Sequence, residues 1–271
     1  MNLDNFSKVS ETTMMLRQEE EGFNNINMST LEVLEISNWP KVGRLLLGGY
    51  NNFPSLRELR IWGCNVVDSL SFLESGFPNL RSLIVGNCVN LRSLTTNHIP
   101  HNLESLEITD CPCLESFPHA NGNLPPNLIE VHISSWQQQL KPLSEWGLHR
   151  LTSLQKLESG GGYPDLVSFP HEYCLLPATL TTLIIKNLPN LVSISSKGLQ
   201  NLTSLHHLVI TYCSKLRSLP KEGLPSTLRS LQTSNCPLLK ERCSEEDEGD
   251  YWPKIAHIPR VAIETNYFTY G

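Results

Sequence analysis

The sequence has few aromatic residues, no excess of basic residues and no long apolar run. Aromatic residues make up 7% of the 271 residues, so any core must be built mainly from aliphatic side chains. Lysine and arginine number 21 against 27 aspartate and glutamate; the resulting net charge of −6 argues against a nucleic-acid partner. The longest uninterrupted aliphatic run is about Leu45–Leu47. It is far shorter than the roughly 20 apolar residues that a membrane-spanning helix requires, so we expect no membrane insertion.

The sequence also lacks a secretion signal. Its N-terminal stretch contains acidic residues and no apolar core segment. We therefore expect a cytoplasmic protein whose eight cysteines are reduced thiols rather than a disulfide framework. The glycosylation sequons at Asn5, Asn27 and Asn201 carry little weight in a protein that is not secreted.

Motifs for nucleotide, metal and catalytic sites are missing too. Gly160–Gly162 is not followed by the Lys-Ser/Thr of a phosphate-binding loop, and we interpret it as a bulge or tight strand exit. No paired Cys-x-x-Cys and no nucleophile-elbow or His-Glu-x-x-His spacing occurs. The nearest approach to a metal-binding set is His98, His101, Cys111 and Cys113. We expect no cofactor, no metal and no enzymatic activity.

What the sequence does contain is a leucine pattern that recurs along most of the chain. The pattern Leu-x-x-Leu-x-Ile, with related residues at some positions, starts nine times at intervals of 23 to 26 residues. Slot 1 of the nine repeats is occupied by Leu31, Leu56, Leu80, Leu103, Leu128, Leu154, Leu180, Leu205 and Leu228. The period falls within the roughly 20–29 residues of leucine-rich repeats and predicts one elongated solenoid.

Each repeat predicts a short strand. Slots 4 and 6 lie two residues apart and face one side of the strand, whereas slots 3, 5 and 7 face the other side. Parallel stacking of neighbouring strands buries the apolar side. The predicted fold class is an α/β-type leucine-rich-repeat solenoid, a horseshoe with short parallel strands on its concave face. Frequent prolines leave room only for irregular or 3-10 structure on the convex side.

Slot 9 and the returning segments complete the predicted core. Slot 9 needs a small side chain at the turn, and a buried cysteine column is expected at Cys64, Cys88, Cys111, Cys213 and Cys236. Parallel side-chain directions argue against disulfides between neighbouring members of this column. The expected inward residues of the returning segments are Leu91, Leu94, Leu114, Phe117, Leu140, Leu143, Leu166, Phe169, Leu191, Ile194, Leu216 and Leu219.

The repeats divide the chain into three predicted parts. Residues 1–30 are a partial repeat or N-terminal extension, and a frayed cap or disorder is equally compatible with them. Residues 31–240 carry the nine repeats. Residues 241–271 form a C-terminal cap, in which Arg260–Glu264 makes a last strand or lid. The acidic residues 245–250 suit a solvated loop, with a partner-binding patch as the alternative.

Several segments resemble a known family of plant receptors. The run CPLLKERCSEEDEGDYWPKIAHIP (Cys236–Pro259), together with Leu216–Leu231, looks like the end of coiled-coil-type nucleotide-binding leucine-rich-repeat (NB-LRR) disease-resistance proteins. Leu176–Ile185 and Pro164–Pro170 are similar to their repeats, and the resemblance covers about residues 31–265. Such proteins combine a coiled coil, a nucleotide switch and a repeat domain that recognises pathogen effectors and restrains the switch. Since this chain has no phosphate-binding motif, the resemblance implies only the recognition part.

The implied function is protein recognition in plant innate immunity, either sensing of effectors or regulation of an NB-LRR receptor, through the concave face. The alternative is a general repeat adaptor such as a ubiquitin-ligase substrate receptor. Arginine and tryptophan are enriched in interface hot spots. The candidate binding residues are the basic and aromatic group Arg57, Arg60, Trp62 and Arg81, the acidic Glu104, Glu107, Glu130 and Glu158, and His132, Lys156, Lys186 and His207. The competing interpretation is that they form an ordinary solvated strand face.

Overall fold

A computed structural model describes most of the chain. The described residues are 13–16, 29–39, 53–74, 76–94, 100–114, 125–135, 140, 143–170, 175–243 and 252–264. Asn5, Asn27, His98, Phe117 and the acidic residues 245–250 lie outside them. The chain divides into two compact units, Met1–Leu128 and Ile129–Gly271.

The first unit contains five parallel strands that pair in chain order. They are β1 (Thr13–Leu16), β2 (Val33–Ser37), β3 (Glu58–Trp62), β4 (Ser82–Gly86) and β5 (Ser105–Thr109). In the paired register, each slot of one repeat lies opposite the same slot of the next. β1 pairs with β2, so part of the poorly matching N-terminal segment adds a further strand to this sheet.

The second unit contains six parallel strands and one separate short pair. The strands are β6 (Glu130–Ser135), β7 (Lys156–Gly161), β8 (Ser168–Phe169), β9 (Thr182–Lys186), β10 (Ser193–Ile194), β11 (His207–Thr211), β12 (Ser230–Ser234) and β13 (Arg260–Glu264). The order in the main sheet is β6-β7-β9-β11-β12-β13, and β8 pairs with β10. All nine predicted repeat strands are present, which confirms the leucine-rich-repeat fold. β13 occupies the segment expected to form a last strand.

The core lies on one side of each sheet, where the leucine pattern places it. In all nine repeats the slot 4 and slot 6 side chains are at most 1% exposed. Full burial of one such aliphatic side chain contributes roughly 1.5–3 kcal/mol. Slot 6 is polar in two repeats, at Ser159 and Thr233, and these side chains are buried as well. The opposite side of each strand is thereby left for polar slots.

The returning segments are short and mostly irregular, as predicted. The described inward residues are buried, except that Leu166 is only half-buried. The helical pieces are 3-10 turns at Ser71–Glu74, Leu143–Trp146 and Leu148–Arg150, the one-turn α1 (Ser196–Leu199), and, after the last repeat, α2 (Pro237–Cys243) and α3 (Trp252–Ile255). No helix in the described part of the chain is long and apolar enough to cross a membrane.

Most repeat strands end in a left-handed residue at slot 8. In eight of the nine repeats φ lies between 50° and 64° at Asn38, Gly63, Asn87, Asp110, Gly161, Asn187, Tyr212 and Asn235. The N–H of this residue continues the ladder: Asn38 donates to the Trp62 carbonyl at 2.8 Å and Asn187 to the Thr211 carbonyl at 2.9 Å. Asparagine, aspartate and glycine tolerate this conformation best. The turn directs slot 9 back into the core.

Candidate functional site

The candidate binding residues all lie on the side of the sheets that faces away from the core. We call this side the open face; it consists of slots 3, 5 and 7 of the strands, with slot 2 at the strand entry. All twelve predicted binding residues occupy these slots, and each is half-exposed or exposed. Short residues on the same face, such as Thr109 and Ser134, are covered by their neighbours. Long polar side chains therefore form the accessible layer.

Trp62 is held on the open face of the first unit by a glycine in the next strand. Gly86 lies opposite Trp62 in the paired register of β3 and β4. A Cβ atom at position 86 would stand 2.0 Å from Cζ3 and 2.1 Å from Cε3 of Trp62. The indole therefore lies directly over the Gly86 backbone, while the residue remains 41% exposed. The missing side chain at Gly86 is what permits this position of the ring.

The arginines beside Trp62 are largely paired with glutamates. Arg60 forms a close ion pair with Glu58 and a second one at 3.6 Å with Glu35. The hydrogen bond to Glu58 raises the pKa of Arg60. Arg81 Nη1 lies 2.7 Å from Glu104 Oε1. The expected basic group is thus a mixed-charge surface, and pairs this exposed contribute only about 0–1 kcal/mol to stability.

Arg57 differs from the other two arginines of this group. It is exposed at slot 2, directly before β3, and it forms no ion pair with another described residue. The Arg57 guanidinium and the Trp62 indole thus remain available for intermolecular contacts. Around Trp62, the described part of the open face thus offers an aromatic ring, the Arg57 cation and a set of internally paired charges.

The second unit carries a similar cross-strand network around Glu158. Lys186 Nζ donates to Glu158 Oε1 at 2.7 Å, and His132 Nε2 lies 3.5 Å from the same oxygen. The Glu158 side chain is only 15% exposed, so it is the shared centre of the group. Glu130 and Lys156 form a separate pair at 3.0 Å.

A glycine again determines the local geometry beside this network. Gly160 lies opposite Lys186, and a Cβ at position 160 would stand 2.8 Å from the Lys186 carbonyl oxygen. The two following glycines, Gly161 and Gly162, have φ of 61° and 65°. A Cβ at Gly161 would stand 1.8 Å from the Ser135 carbonyl oxygen. The interpretation of this glycine run as a tight strand exit is confirmed.

The cysteines form the predicted buried column and have a structural role. The five slot 9 cysteines are buried free thiols, and Cys88 Sγ lies 3.4 Å from the carbonyl oxygen of Gly86. A hydrogen bond with the Cys111 thiol, together with burial, raises the pKa of Cys88. Burial alone raises the pKa of Cys243, in α2, to about 11. Within the column, hydrogen bonds with Cys88 and Cys213 lower the pKa values of their partners Cys111 and Cys236. The raised pKa values of Cys88 and Cys243 keep these two thiols protonated, a poor state for ligating metal.

Three of the four residues of the suggested metal set, His101, Cys111 and Cys113, are described, and His98 is not. Cys111 is buried in the column, whereas His101 and Cys113 are exposed. Across the ranges that the structure describes, no three His, Cys, Asp or Glu side chains converge. What the open face can offer is noncovalent recognition by ion pairs, hydrogen bonds and aromatic contact.

Two relatives place this repeat array among plant proteins. One, named "Putative disease resistance protein", of Arabidopsis thaliana, is 32% identical over 196 residues, which cover 71% of this chain and 13% of that protein. A probable disease resistance protein of the same plant is 29% identical over 234 residues, which cover 85% of this chain and 20% of that protein. The chain thus spans about a fifth or less of these relatives.

Solved structures of low sequence identity also align with the chain. An internalin of Listeria monocytogenes superposes with a TM-score of 0.41 and 18% identity, covering 94% of this chain and 81% of that chain. No family model matches the sequence.

Proposed function

This chain belongs to the leucine-rich-repeat part of plant disease-resistance proteins, and on that premise we propose that its open face recognises another protein during the defence response. The partner is a pathogen effector or another domain of an immune receptor. The observation that carries the proposal is Trp62, a large aromatic side chain that a facing glycine keeps accessible on the open face.

Residue chemistry supports this use of the surface. Tryptophan and arginine contribute a disproportionate share of binding energy at protein interfaces. Trp62 and Arg57 provide both types within one repeat of the first unit. The flanking ion pairs of Arg60 and Arg81 hold long side chains in defined positions, which reduces the entropy lost on binding. An exposed polar face without such an anchor would offer much weaker affinity.

We further propose that the segment works inside the cell as one part of a longer receptor. The described cysteines are all free thiols, which fits a reducing compartment. The relatives are several times longer than this chain, so the recognition surface would act together with other domains.

A capture experiment with matched variants tests the binding surface. The test variant changes Arg57, Arg60, Trp62 and Arg81 to Ser, and the control changes four exposed residues outside the open face, Arg92, Arg217, Lys221 and Val66, to Ser. Proteins captured from infected plant tissue are identified by mass spectrometry. We expect the test variant to lose at least about 90% of a captured effector or receptor domain, corresponding to a tenfold weaker affinity. The control should retain it.

Thermal unfolding of each variant verifies that it is folded. Substitutions at exposed positions should each change the free energy of unfolding by no more than about 0.5 kcal/mol. Equal capture by the wild-type chain and a folded test variant would overturn the proposal. Recovery of ubiquitin-ligase subunits in place of immune proteins would favour the adaptor function instead.

A further inference from the structure

The last two strands of the second unit start at or directly after arginines that form no ion pair with a described residue, unlike most basic residues elsewhere on the open face. Arg229 lies at slot 2, directly before β12, and Arg260 is the first residue of β13; both are exposed. Neither forms an ion pair with a described residue. By contrast, Lys156 and Lys186 on the preceding strands each contact a glutamate, at 3.0 and 2.7 Å.

The backbone places these cations side by side. The N–H of Arg229 donates to the His206 carbonyl at 2.8 Å, and the N–H of Arg260 donates to the Arg229 carbonyl at 3.2 Å. In the sheet register, His207 lies opposite Ser230, which lies opposite Arg260. With about 4.8 Å between strands, Arg229 and Arg260 lie beside His206 and His207 on one edge some 10 Å wide, which we call the cationic edge after its two arginines.

In other repeats, oppositely charged residues at the same slot of adjacent strands form ion pairs. Arg81 and Glu104, both at slot 2 of adjacent strands, meet at 2.7 Å. Glu130 and Lys156, both at slot 3 of adjacent strands, meet at 3.0 Å. Neighbouring side chains in one slot therefore reach each other in this fold. Among the described residues at the entry of β11, β12 and β13, no acidic residue occupies slot 2 or slot 3.

The described part of β11–β13 contains few acidic residues. On these strands and at the slot 2 positions before them, the sequence has one acidic residue, Glu264, four residues after Arg260. Slot 5 of β11–β13 and of the neighbouring β9 is uncharged and in part aliphatic; its residues are Ile184, Val209, Gln232 and Ala262.

We propose that the cationic edge binds an acidic protein segment, whose carboxylates take the positions that glutamates hold in the other repeats. Guanidinium groups bind carboxylates through paired, charge-assisted hydrogen bonds. The uncharged slot 5 row beside the edge accepts small apolar side chains of the same segment. Nucleic acid fits less well, because no Phe, Tyr or Trp lies on the open face of β11–β13 for base stacking and the net charge of the chain is −6.

This inference goes beyond the recognition surface around Trp62, since it concerns other residues in the other unit. It is tested by titrating the full chain with a labelled peptide that alternates Glu and Ala. Peptides of equal length that alternate Gln and Ala, or Lys and Ala, serve as probes of charge, and a single-stranded oligonucleotide serves as a probe of ligand class.

The wild-type chain should bind the Glu peptide at least tenfold more tightly than the other two peptides, with an affinity that falls as salt is added. The double variant Arg229→Ser, Arg260→Ser should lose about tenfold or more, and the matched variant Arg217→Ser, Lys221→Ser should lose nothing. Arg229→Lys, Arg260→Lys should bind more tightly than the Ser variant but less tightly than the wild-type chain, because it keeps the charges and loses the paired hydrogen bonds. Trp62→Ser should bind the Glu peptide normally, which separates this site from the one around Trp62.

Two results would overturn the inference. One is equal affinity of the wild-type chain and the folded Arg229→Ser, Arg260→Ser variant for the Glu peptide. The other is tighter binding of the oligonucleotide than of the Glu peptide, with the same dependence on the two arginines. Thermal unfolding of each variant verifies that it is folded, as expected for substitutions at exposed positions.

Discussion

Two buried hydroxyl groups stand where the other repeats place an aliphatic side chain. Ser159 Oγ and Thr233 Oγ1 at slot 6 are buried and have no hydrogen-bond partner among the described residues. A buried polar group without a partner costs about 1–3 kcal/mol relative to a satisfied one. These residues are therefore local weak points in an otherwise aliphatic layer.

We predict that Thr233→Val stabilises the protein by about 1 kcal/mol, because it removes the unpaired hydroxyl and keeps the branched shape. For a chain of this size the unfolding temperature should rise by about 2–4 °C. Thr182→Val on the half-exposed open face is the control and should change it by less. An unchanged or lower unfolding temperature for Thr233→Val would mean that the hydroxyl is satisfied in solution.

At the scale of the element, the turn that ends each strand requires a left-handed backbone at slot 8 in most repeats. Tyr212 fills this slot with φ of 56°, whereas the neighbouring repeats use Asn187 and Asn235 with φ of 51° and 53°. A left-handed backbone is disfavoured by roughly 1–2 kcal/mol for most residues, but less for asparagine. Tyr212 is 50% exposed, so its ring contributes little burial to offset this.

Tyr212→Asn should therefore stabilise the protein by about 0.5–1 kcal/mol, and the reciprocal change Asn187→Tyr should destabilise it by a similar or larger amount. Chemical denaturation with an unchanged denaturant dependence would measure both values. The pair of variants controls for aromatic content, since one removes and the other adds a tyrosine. Opposite signs for the two variants are required; a loss of stability in Tyr212→Asn would contradict the argument.

The strands were predictable from sequence because a single physical signal repeats nine times. Leucines at slots 1 and 4 have few alternatives to burial, so their spacing located β2–β7, β9, β11 and β12. The left-handed turn was not predicted, although Asn, Asp or Gly at slot 8 of seven repeats is a usable signal. The sequence does not single out β1 as a strand, because Thr13–Leu16 lacks the leucine pattern.

For the candidate site, the sequence predicts the side of the sheet on which the residues lie, but not the contacts between their side chains. Alternation in the strand placed the slot 3, 5 and 7 candidates on the open face, because that depends on the register alone. Arg57, Arg81 and Glu104 precede their strands at slot 2, where alternation does not decide the side. The ion pairs of Arg60 and Arg81 depend on which neighbour each long side chain turns toward, and a single repeat does not contain that information. The position of the Trp62 indole depends on Gly86, one repeat later. The sequence of a single strand therefore does not predict it.

Across the whole molecule, buried thiols link stability to alkaline pH. The Cys243 thiol has a pKa of about 11 in the folded chain against 9.0 for the unperturbed group, because burial disfavours the thiolate. The unfolded chain therefore loses this proton first as the pH rises. The stabilising contribution is complete below pH 9.0, decreases between 9.0 and about 11, and is lost above that.

We predict that the wild-type chain loses stability more steeply than Cys243→Ala over this pH range. The two-unit difference in pKa corresponds to at most about 2–3 kcal/mol. Unfolding temperatures of the two proteins, each compared with its own value at pH 8, give the measurement. Other thiols, including Cys64, also titrate, which is why only the difference between the two slopes is informative. Parallel slopes would show that Cys243 ionises equally easily in the folded chain.

Because Gly86 lies beneath the Trp62 ring, the residue at one of these two positions limits which residues fit at the other. A bulky residue can lie across the next strand only if that strand contributes no side chain at the same slot, as at Gly86 for Trp62. A change of binding preference at such a place requires two coordinated substitutions a full repeat apart. Diversification of this surface should therefore proceed by paired replacements or by exchange of whole adjacent repeats.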